Sequence, residues 1–436
     1  MTDGRVRRRV DRREGSGTGL FRLLTRVDHD DLDWLIRHIW LRPDGLVAVE
    51  AGPVSPDLVA VERFTVFPSL RRPLIVVPAL SRRATLRALL ARPHLQSRAN
   101  LLLRATAAAW LCGWPSQGAG ARLSIAQVRN DDAGGLPQRL LPLLGQRLGT
   151  SVSALVVLGP RDPNRKPMLE VVNSRGRAVG FAKVGWNAPT RALVGNEARH
   201  LRRLERAALT PGLPRAPRVL FTHQVEGLEV VVTEPMPPSA RSWPNRAAPE
   251  TSVIRAVATA LAGNDGIQQQ PLRQLRLWDH QRAALTEVAG PAQPAADVLL
   301  RSLESALATV PHDLEVPVGG WHGDWAPWNL ATVGGQLWAW DWEHATSEVP
   351  MGFDALHYVF AVLLHVDRVV VDRAVARLRE RSAEVLEAFG VPASAISAVT
   401  TGYLVERWLR AHRLYADGGG WDPVIHPGLV DALRRG

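Results

Sequence analysis

The segment spanning residues 321–343 constrains this chain more than any other, because it sets polar side chains at fixed intervals among six tryptophans. Asp324 and Asn329 are five residues apart, and Asp341 follows a short apolar run. Two adjacent glycines lie between Asn329 and Asp341, as is typical of a β-hairpin turn. The pattern therefore predicts a loop and then a hairpin whose second strand presents Asp341 and Glu343 on the same face.

Side chains of these types are what transfer of a phosphoryl group from ATP requires. A carboxylate such as Asp324 can orient a hydroxyl group and accept its proton, and an amide oxygen with a second carboxylate can hold Mg²⁺. A single Asp or Asn near a turn is more often a cap or a turn former. All three residues at this spacing favour an active site.

The segment resembles the catalytic segment of the aminoglycoside phosphotransferase and choline kinase-like family, whose members are related to protein kinases. In that family an HGDxxxxN loop supplies a catalytic Asp and a metal-binding Asn, and the next strand ends in a second, Mg²⁺-binding Asp. The resemblance implies that Asp324 is the catalytic base or orienting residue. It also implies that Asn329 and Asp341 hold Mg²⁺. His322 would then support the loop, and Glu343 would be an outer metal residue or a structural partner.

The resemblance implies an α+β fold of the bilobal protein kinase-like type. A strand-rich nucleotide lobe is expected at residues 151–236 and a mostly helical lobe at residues 237–436. Before them, residues 1–20 are predicted to be a basic, disordered tail, and residues 21–150 form a region of unknown fold and role.

Hydrophobic periodicity predicts individual elements within this outline. Helices are expected at residues 84–91, 97–110 and 366–389, and an apolar stripe predicts a further helix after Ile396. A strand is expected at residues 178–184.

Lysine usage singles out one position in that strand. Only two of the 53 basic residues are lysines, Lys166 and Lys183. Lys183 resembles the phosphate-gripping strand lysine of the family, and Glu197, on a predicted helix fourteen residues later, is expected to pair with it. Residues 159–166 would form the loop over the phosphates, although they lack a GxGxxG motif, and Lys166 could contact phosphate or face solvent.

The adenine site is predicted by analogy alone. A β-branched strand at residues 228–233 runs into a proline-rich segment, which prevents further regular pairing. In kinase-like folds such a hinge contacts adenine through its backbone. Glu234 and Met236 are the residues expected to supply those contacts.

Charge is unevenly distributed along the chain, whose formal net charge is +11. Residues 240–436 contain 17 arginines against 22 acidic residues, which would suit an acceptor with a cationic group. The basic N-terminal region could contact nucleic acid, anionic lipid or an acidic partner. No nucleic-acid motif accompanies it, so a solvated or intramolecular role is favoured.

The tryptophans of the loop allow a second route to a cationic acceptor. Trp325 and Trp328 occupy variable positions of the predicted catalytic loop, where an aromatic face could attract an ammonium group. Packing against the loop is the favoured alternative.

Cysteine content and hydropathy indicate the cellular compartment in which the protein is expected. Cys112 is the only cysteine, which excludes an internal disulfide, and no Cys/His cluster suggests zinc. The sequence has neither a secretory signal nor an apolar run long enough to span a membrane. A cytoplasmic protein is therefore expected.

Two functions follow from these patterns. The first is an ATP- and Mg²⁺-dependent phosphotransferase, a kinase whose acceptor is a hydroxyl group of an aminoglycoside, amino alcohol, sugar or glycan precursor. The second is a kinase-like nucleotide-binding scaffold with weak or no catalysis. Lys183, Asp324, Asn329 and Asp341 together favour the enzyme, and the irregular phosphate loop favours the scaffold.

Overall fold

The computed structural model describes most of the chain in two compact units. The described residues are Leu35, Ile39, 47–51, 58–70, 73–91, 98–112, 121–128, 140–158, 166–208, 210–225, 227–262, 266–417 and 425–435. The first unit contains those up to Phe181 except Lys166, and the second contains Lys166 and those from Ala182 onward. The predicted basic tail and residues 159–165 of the predicted phosphate loop lie outside the described residues. The predicted limits of the lobes stay predictions.

The first unit is built on antiparallel strands. Its elements are β1 (Val47–Ala51), β2 (Leu58–Pro68), β3 (Pro73–Pro78), α1 (Arg82–Leu90), α2 (Arg98–Leu111), β4 (Ala121–Val128), α3 (Leu140–Leu148), β5 (Val152–Val157) and β6 (Met168–Asn173). The strands lie side by side in the order β1-β4-β2-β3-β5-β6. Ile75, Val77 and Leu155 are buried against the helical residues Ala88 and Ala107. Helices α1 and α2 confirm the two predicted N-terminal helices.

The second unit begins with strands around one long helix. Its first elements are β7 (Ala178–Gly185), which enters the unit at Ala182, then α4 (Ala188–Arg206), β8 (Val219–Val225) and β9 (Leu228–Thr233). Strand β9 lies between β7 and β8. Asn187 caps α4 by accepting the Thr190 N–H at 3.0 Å. Strands β7 and β9 confirm the strands predicted at residues 178–184 and 228–233.

The remainder of the second unit is mostly helical. It contains β10 (Arg241–Ser242), α5 (Thr251–Ala262), β11 (Gln268–Pro271), α6 (Arg276–Glu287), α7 (Gln293–Ala308), β12 (Glu315–Trp321), β13 (Leu330–Val333), β14 (Gln336–Ala339), β15 (Thr346–Pro350), α8 (Phe353–Ala361), α9 (Val371–Glu387), α10 (Ile396–Ala416) and α11 (Ile425–Arg434). Two three-stranded sheets, β10-β13-β14 and β11-β12-β15, accompany the helices. The core of this part is centred on Trp278, Trp321, Phe353 and Tyr403, all buried.

Mixed helix and antiparallel sheet confirm the predicted α+β class, while one predicted helix begins too early. The helix expected from Val366 begins only at Val371, because residues 362–366 form a π-helical turn that continues α8. Arg368 then adopts a left-handed conformation with φ of 57°, which breaks the helical path before α9. Hydrophobic periodicity does not register such a break.

Helix α10 follows the predicted apolar stripe of Ile396, Val399 and Tyr403. Its C-terminal half carries several charged residues. Within the described part of the chain, no helix combines the length and apolar character that membrane crossing requires.

Two helical glycines provide a matched test of core packing. A Cβ at Gly402 in α10 would overlap the buried indole ring of Trp278, whereas a Cβ at Gly195 in α4 would meet no atom within 4 Å. We expect Gly402→Ala to destabilise the protein by about 1–3 kcal/mol through overpacking. Gly195→Ala should stabilise it by about 0.5–1 kcal/mol, because alanine costs less backbone entropy in a helix. Urea denaturation monitored by tryptophan fluorescence measures the unfolding free energy of both variants. Equal changes in the two would contradict the close packing of Gly402 against Trp278.

Candidate active site

The hairpin that precedes Asp341 forms as the sequence predicts. Strands β13 and β14 pair with Val333 opposite Gln336. Gly334 and Gly335 connect them with φ of 58° and 85°, the left-handed conformations that a tight two-residue hairpin turn needs at both positions.

The prediction that Asp341 and Glu343 share one face of a strand was wrong. Strand β14 ends at Ala339, and Asp341 adopts a left-handed conformation with φ of 66° and ψ of 56° before a 3₁₀ turn at Trp342–His344. Aspartate is among the few non-glycine residues that tolerate this conformation. A turn, and not a pleated strand, therefore brings the two carboxylates to the same place.

Lys183 lies between two of the predicted site residues. Its Nζ atom is 2.8 Å from Oε2 of Glu197 in α4 and 2.6 Å from Oδ1 of Asp341. Burial alone would lower the pKa of Lys183, but the charges of Asp341 and Glu197 raise that pKa well above its ordinary value. Lys183 therefore remains a cation at neutral pH and holds the two carboxylates together.

Lys166, the second lysine of the chain, reaches the same cluster. Its Nζ atom is 3.0 Å from Oε1 of Glu343, and its side chain is only 11% exposed, so it does not face solvent. Burial and repulsion from Asp341 raise the pKa of Glu343 to about 7, while Lys166 and Lys183 oppose this rise. The sequence left two alternative roles for Lys166 and two for Glu343, and the structure pairs these two residues. We refer to these two lysines with Glu197, Asp341 and Glu343 as the lysine–carboxylate cluster.

The cluster has the donor set of a divalent-cation site. Oxygen atoms of Glu197, Asp341 and Glu343 all lie within 4.8 Å of one another. Three carboxylates face two ammonium groups, so the cluster carries excess negative charge when all five groups are ionised. Within the described residues, Oε2 of Glu343 is buried without a hydrogen-bond partner. Mg²⁺ prefers such oxygen ligands, and Asp341, at 37% exposure, is the member open to solvent.

The predicted catalytic loop holds Asp324 by both carboxylate oxygens. Asn329 lies in a short 3₁₀ turn, and its Nδ2 atom donates to Oδ2 of Asp324 at 2.8 Å and to the Asp324 carbonyl at 2.9 Å. Nε2 of His357, in α8, lies 3.0 Å from Oδ1 of Asp324. Nδ1 of His357 lies 3.1 Å from the hydroxyl of Tyr403.

Electrostatics keep Asp324 ionised and His357 neutral. Burial would raise the pKa of Asp324, but the hydrogen bond from His357 and the positive charge of Arg407 hold that pKa well below its usual range. Burial lowers the pKa of His357 to about 4, although Asp324 acts in the opposite direction. Neutral His357 can then donate from Nε2 to Asp324 and accept at Nδ1 from Tyr403. Asp324 is thus a fixed carboxylate with little basicity.

The backbone of the loop is anchored from beneath by Asp354. Its two carboxylate oxygens accept the N–H groups of His322 at 2.7 Å and Gly323 at 3.0 Å. Burial raises the pKa of Asp354 to about 7, whereas these two hydrogen bonds lower it. His322 is itself fully buried, with Nδ1 accepting the Asp324 N–H at 3.1 Å and Nε2 lying 2.8 Å from the Trp340 carbonyl.

Asp354 and His357 were not among the predicted site residues. They lie three residues apart in α8, whose other buried residues are apolar or aromatic. Polar residues at helical spacing inside such an apolar helix are the signal that could have identified them.

The structure gives only part of the predicted adenine hinge. Met236 is buried, and the N–H of Glu234 donates to the Arg218 carbonyl at 3.0 Å. The Glu234 side chain pairs with Arg218 on the surface. Any adenine contact at Glu234 would therefore use its carbonyl, and the assignment of both residues stays a prediction.

The two loop tryptophans differ in exposure. Trp325 is fully buried and packs edge-on against His322, as the packing alternative predicts. Trp328 is 43% exposed and lies edge-on to His365. Trp325 therefore presents no face to an acceptor.

Comparisons with known proteins yield structural likenesses only. No protein-family model and no curated protein matches the sequence. Similar solved structures include an aminoglycoside phosphotransferase complexed with ADP and hygromycin B, which is 16% identical at a TM-score of 0.43 over 68% of this chain and 98% of the other. A choline kinase from Streptococcus pneumoniae is 15% identical at a TM-score of 0.39 over 67% and 98%. A glucosamine kinase with glucosamine, ADP and phosphate is 13% identical at 0.33 over 72% and 84%.

Replacing Asp354 tests whether it anchors the loop. In Asp354→Asn one carboxylate oxygen becomes an NH₂ group, which leaves one buried backbone N–H without an acceptor. We expect a loss of about 1–3 kcal/mol in unfolding free energy. Asp279→Asn is the matched control, since Asp279 is 70% exposed in its ion pair with Arg282 and should cost less than about 1 kcal/mol. Similar denaturation midpoints for both variants would show that Asp354 does not stabilise the loop in this way.

Proposed function

We propose that this protein is an ATP- and Mg²⁺-dependent phosphotransferase that acts on a hydroxyl group of a small molecule. The observation that carries the proposal is the position of Lys183, whose ammonium group bridges Glu197 and Asp341 at 2.8 and 2.6 Å. A lysine held in this way can reach the α- and β-phosphates of ATP while Asp341 offers an oxygen to the metal.

The lysine–carboxylate cluster and the Asp324 loop act on one another. Against the effect of burial, Lys183 and Lys166 lower the pKa of Asp341 to about 2 and the charge of Asp324 opposes them, so the two carboxylates lie within electrostatic range. A site that binds the nucleotide at the cluster would thus present its terminal phosphate toward Asp324. A binding scaffold has no need of such a carboxylate beside the phosphates.

Asp341 and Asn329 would hold Mg²⁺, with Glu343 as an additional oxygen donor in the cluster. Mg²⁺ bound there would neutralise phosphate charge that otherwise repels the incoming hydroxyl. The Nδ2 atom of Asn329 is committed to Asp324, so its amide oxygen is the atom that remains for a metal. The donor set thus agrees with the chemistry that Mg²⁺ prefers.

Asp324 would orient the acceptor more than it would deprotonate it. In the transfer step the hydroxyl oxygen forms a bond to the γ-phosphorus while the bond from that phosphorus to the ADP oxygen breaks. Because the pKa of Asp324 is depressed, its carboxylate is a weaker base than a free aspartate and takes the hydroxyl proton late in the step. His357 and Asn329 keep both carboxylate oxygens in place during the step.

The metal role of Asp341 can be measured by binding. We expect Asp341→Ala to lose the Mg²⁺-dependent part of ATP affinity, because it removes the carboxylate that is most open to solvent in the cluster. Isothermal calorimetry with and without Mg²⁺ measures this part directly. Asp297→Ala, at an exposed position of α7, is the control and should bind as the wild type does. Equal Mg·ATP affinity in both variants would remove Asp341 from the metal site.

The catalytic role of Asp324 separates the enzyme from the scaffold. Asp324→Asn should keep Mg·ATP affinity while lowering phosphoryl transfer by about 10²–10⁴-fold, the range typical of a side chain that acts on the reacting proton. The assay is ADP release with a panel of amino alcohols, aminoglycosides, sugars and sugar acids. An active wild type whose Asp324→Asn form retains full turnover would contradict the proposal. A wild type that binds Mg·ATP and phosphorylates nothing would favour the scaffold.

A further inference from the structure

We propose that the acceptor carries an anionic group, a carboxylate or a phosphate, beside its reacting hydroxyl, and that Arg407 binds this group. The inference rests on the proposed function and specifies its substrate class. One face of helix α10 carries Tyr403, Arg407 and Arg410 at helical spacing.

Both neighbours of Arg407 on this face contact the catalytic loop or its support. Tyr403 lies 3.1 Å from His357, which lies 3.0 Å from Asp324. Arg410 donates to the carbonyl of Gly323 at 2.5 Å. Arg407 lies between these two contacts along the helix, so it shares the face of α10 that is turned toward the predicted catalytic loop.

Arg410 is already committed to the protein. Besides its bond to Gly323, its guanidinium group lies over the ring of Trp321 at 4.9 Å. Burial and repulsion from Arg407 lower the pKa of Arg410 to about 10. Two like charges therefore lie close together, and Arg410 is the one with an evident structural task.

Arg407 has no such task among the described residues. It forms no ion pair with any of them, and its Nε atom is buried without a hydrogen-bond partner. A buried guanidinium donor without an acceptor costs free energy that a bound anion would recover. The charge of Arg407 acts on Asp324, His357 and Tyr403, so its guanidinium group lies within electrostatic range of the predicted catalytic residue.

The neighbouring carboxylates are engaged elsewhere. Asp354 accepts two backbone N–H groups, and Asp324 is held by His357 and Asn329. Glu406, the acidic residue next to Arg407 in sequence, lies 3.5 Å from Arg413 and 3.4 Å from Gln281. An anion that belongs to the substrate would satisfy Arg407 without disturbing any of these contacts.

The local charge thus differs from the overall charge of this part of the chain. A cationic acceptor was expected from the excess of acidic over basic residues in 240–436 and from the aromatic faces of Trp325 and Trp328. Beside Asp324, however, the side chains of α10 contribute two guanidinium groups, which would repel an ammonium group and attract an anion.

Matched acceptors on one carbon skeleton provide the test. Glycerate, glycerol phosphate, glycerol and aminopropanediol differ in charge at one end, and glucuronate, glucose and glucosamine repeat the comparison on a sugar ring. ADP release by the full-length chain with Mg·ATP gives kcat/KM for each. We expect an anionic member of a set to exceed the neutral one by about tenfold or more, as one charge-assisted hydrogen bond would provide. Preference for glycerate or for glycerol phosphate identifies the anion as carboxylate or phosphate.

Arg407→Gln should abolish that preference by raising KM for the anionic acceptor about ten- to hundredfold, whereas Arg413→Gln, an exposed position of the same helix, should retain it. Selection of the amino compounds, or an unchanged preference in Arg407→Gln, would overturn the inference and leave the proposed function intact. If no acceptor yields ADP, the proposed function fails. Calorimetry with glycerate and with glycerol phosphate then tests the anion site by itself. The inference requires that the wild type bind one of these compounds and that Arg407→Gln lose this binding.

Discussion

The ammonium group of Lys183 is the point on which the site depends. Its contacts with Glu197 and Asp341 join strand β7, helix α4 and the turn after β14, and the last of these lies 158 residues from the lysine in sequence. Burying one ion is costly, and breaking a buried pair costs about 3–5 kcal/mol because the remaining charge is left uncompensated. Each carboxylate of the cluster is thus tolerated only because the lysines are there.

This dependence explains the lysine usage of the chain. Arginine supplies positive charge almost everywhere, yet both lysines lie in the one cluster. An ammonium is a compact charge that can approach two carboxylates from different directions, whereas a planar guanidinium presents its donors in a fixed fork. The cluster therefore uses lysine where a cation has little space among the carboxylates.

The predicted catalytic loop is held in place by two helices. Helix α8 contributes Asp354 to the loop backbone and His357 to Asp324, and α10 contributes Arg410 to the carbonyl of Gly323. Gly323 itself has φ of 84°, and a Cβ there would meet the His344 backbone, so the loop also needs a glycine at this close approach. The packed core beneath the loop thus holds Asp324 rigidly in position, because closely packed side chains resist displacement.

Local patterns in the sequence determined the parts of the protein that short-range physics controls. Turn chemistry and periodicity predict the two-glycine turn and strands β7 and β9. The spacing of Asp324 and Asn329 predicts the loop between them, and the rarity of lysine in the chain singles out Lys183 as a site residue. Only the tertiary structure decided what these residues meet. The left-handed Asp341, the pairing of Lys166 with Glu343 and the bond of Arg410 to the Gly323 carbonyl depend on segments far apart in the chain. Their free energies depend on burial, which no local pattern records.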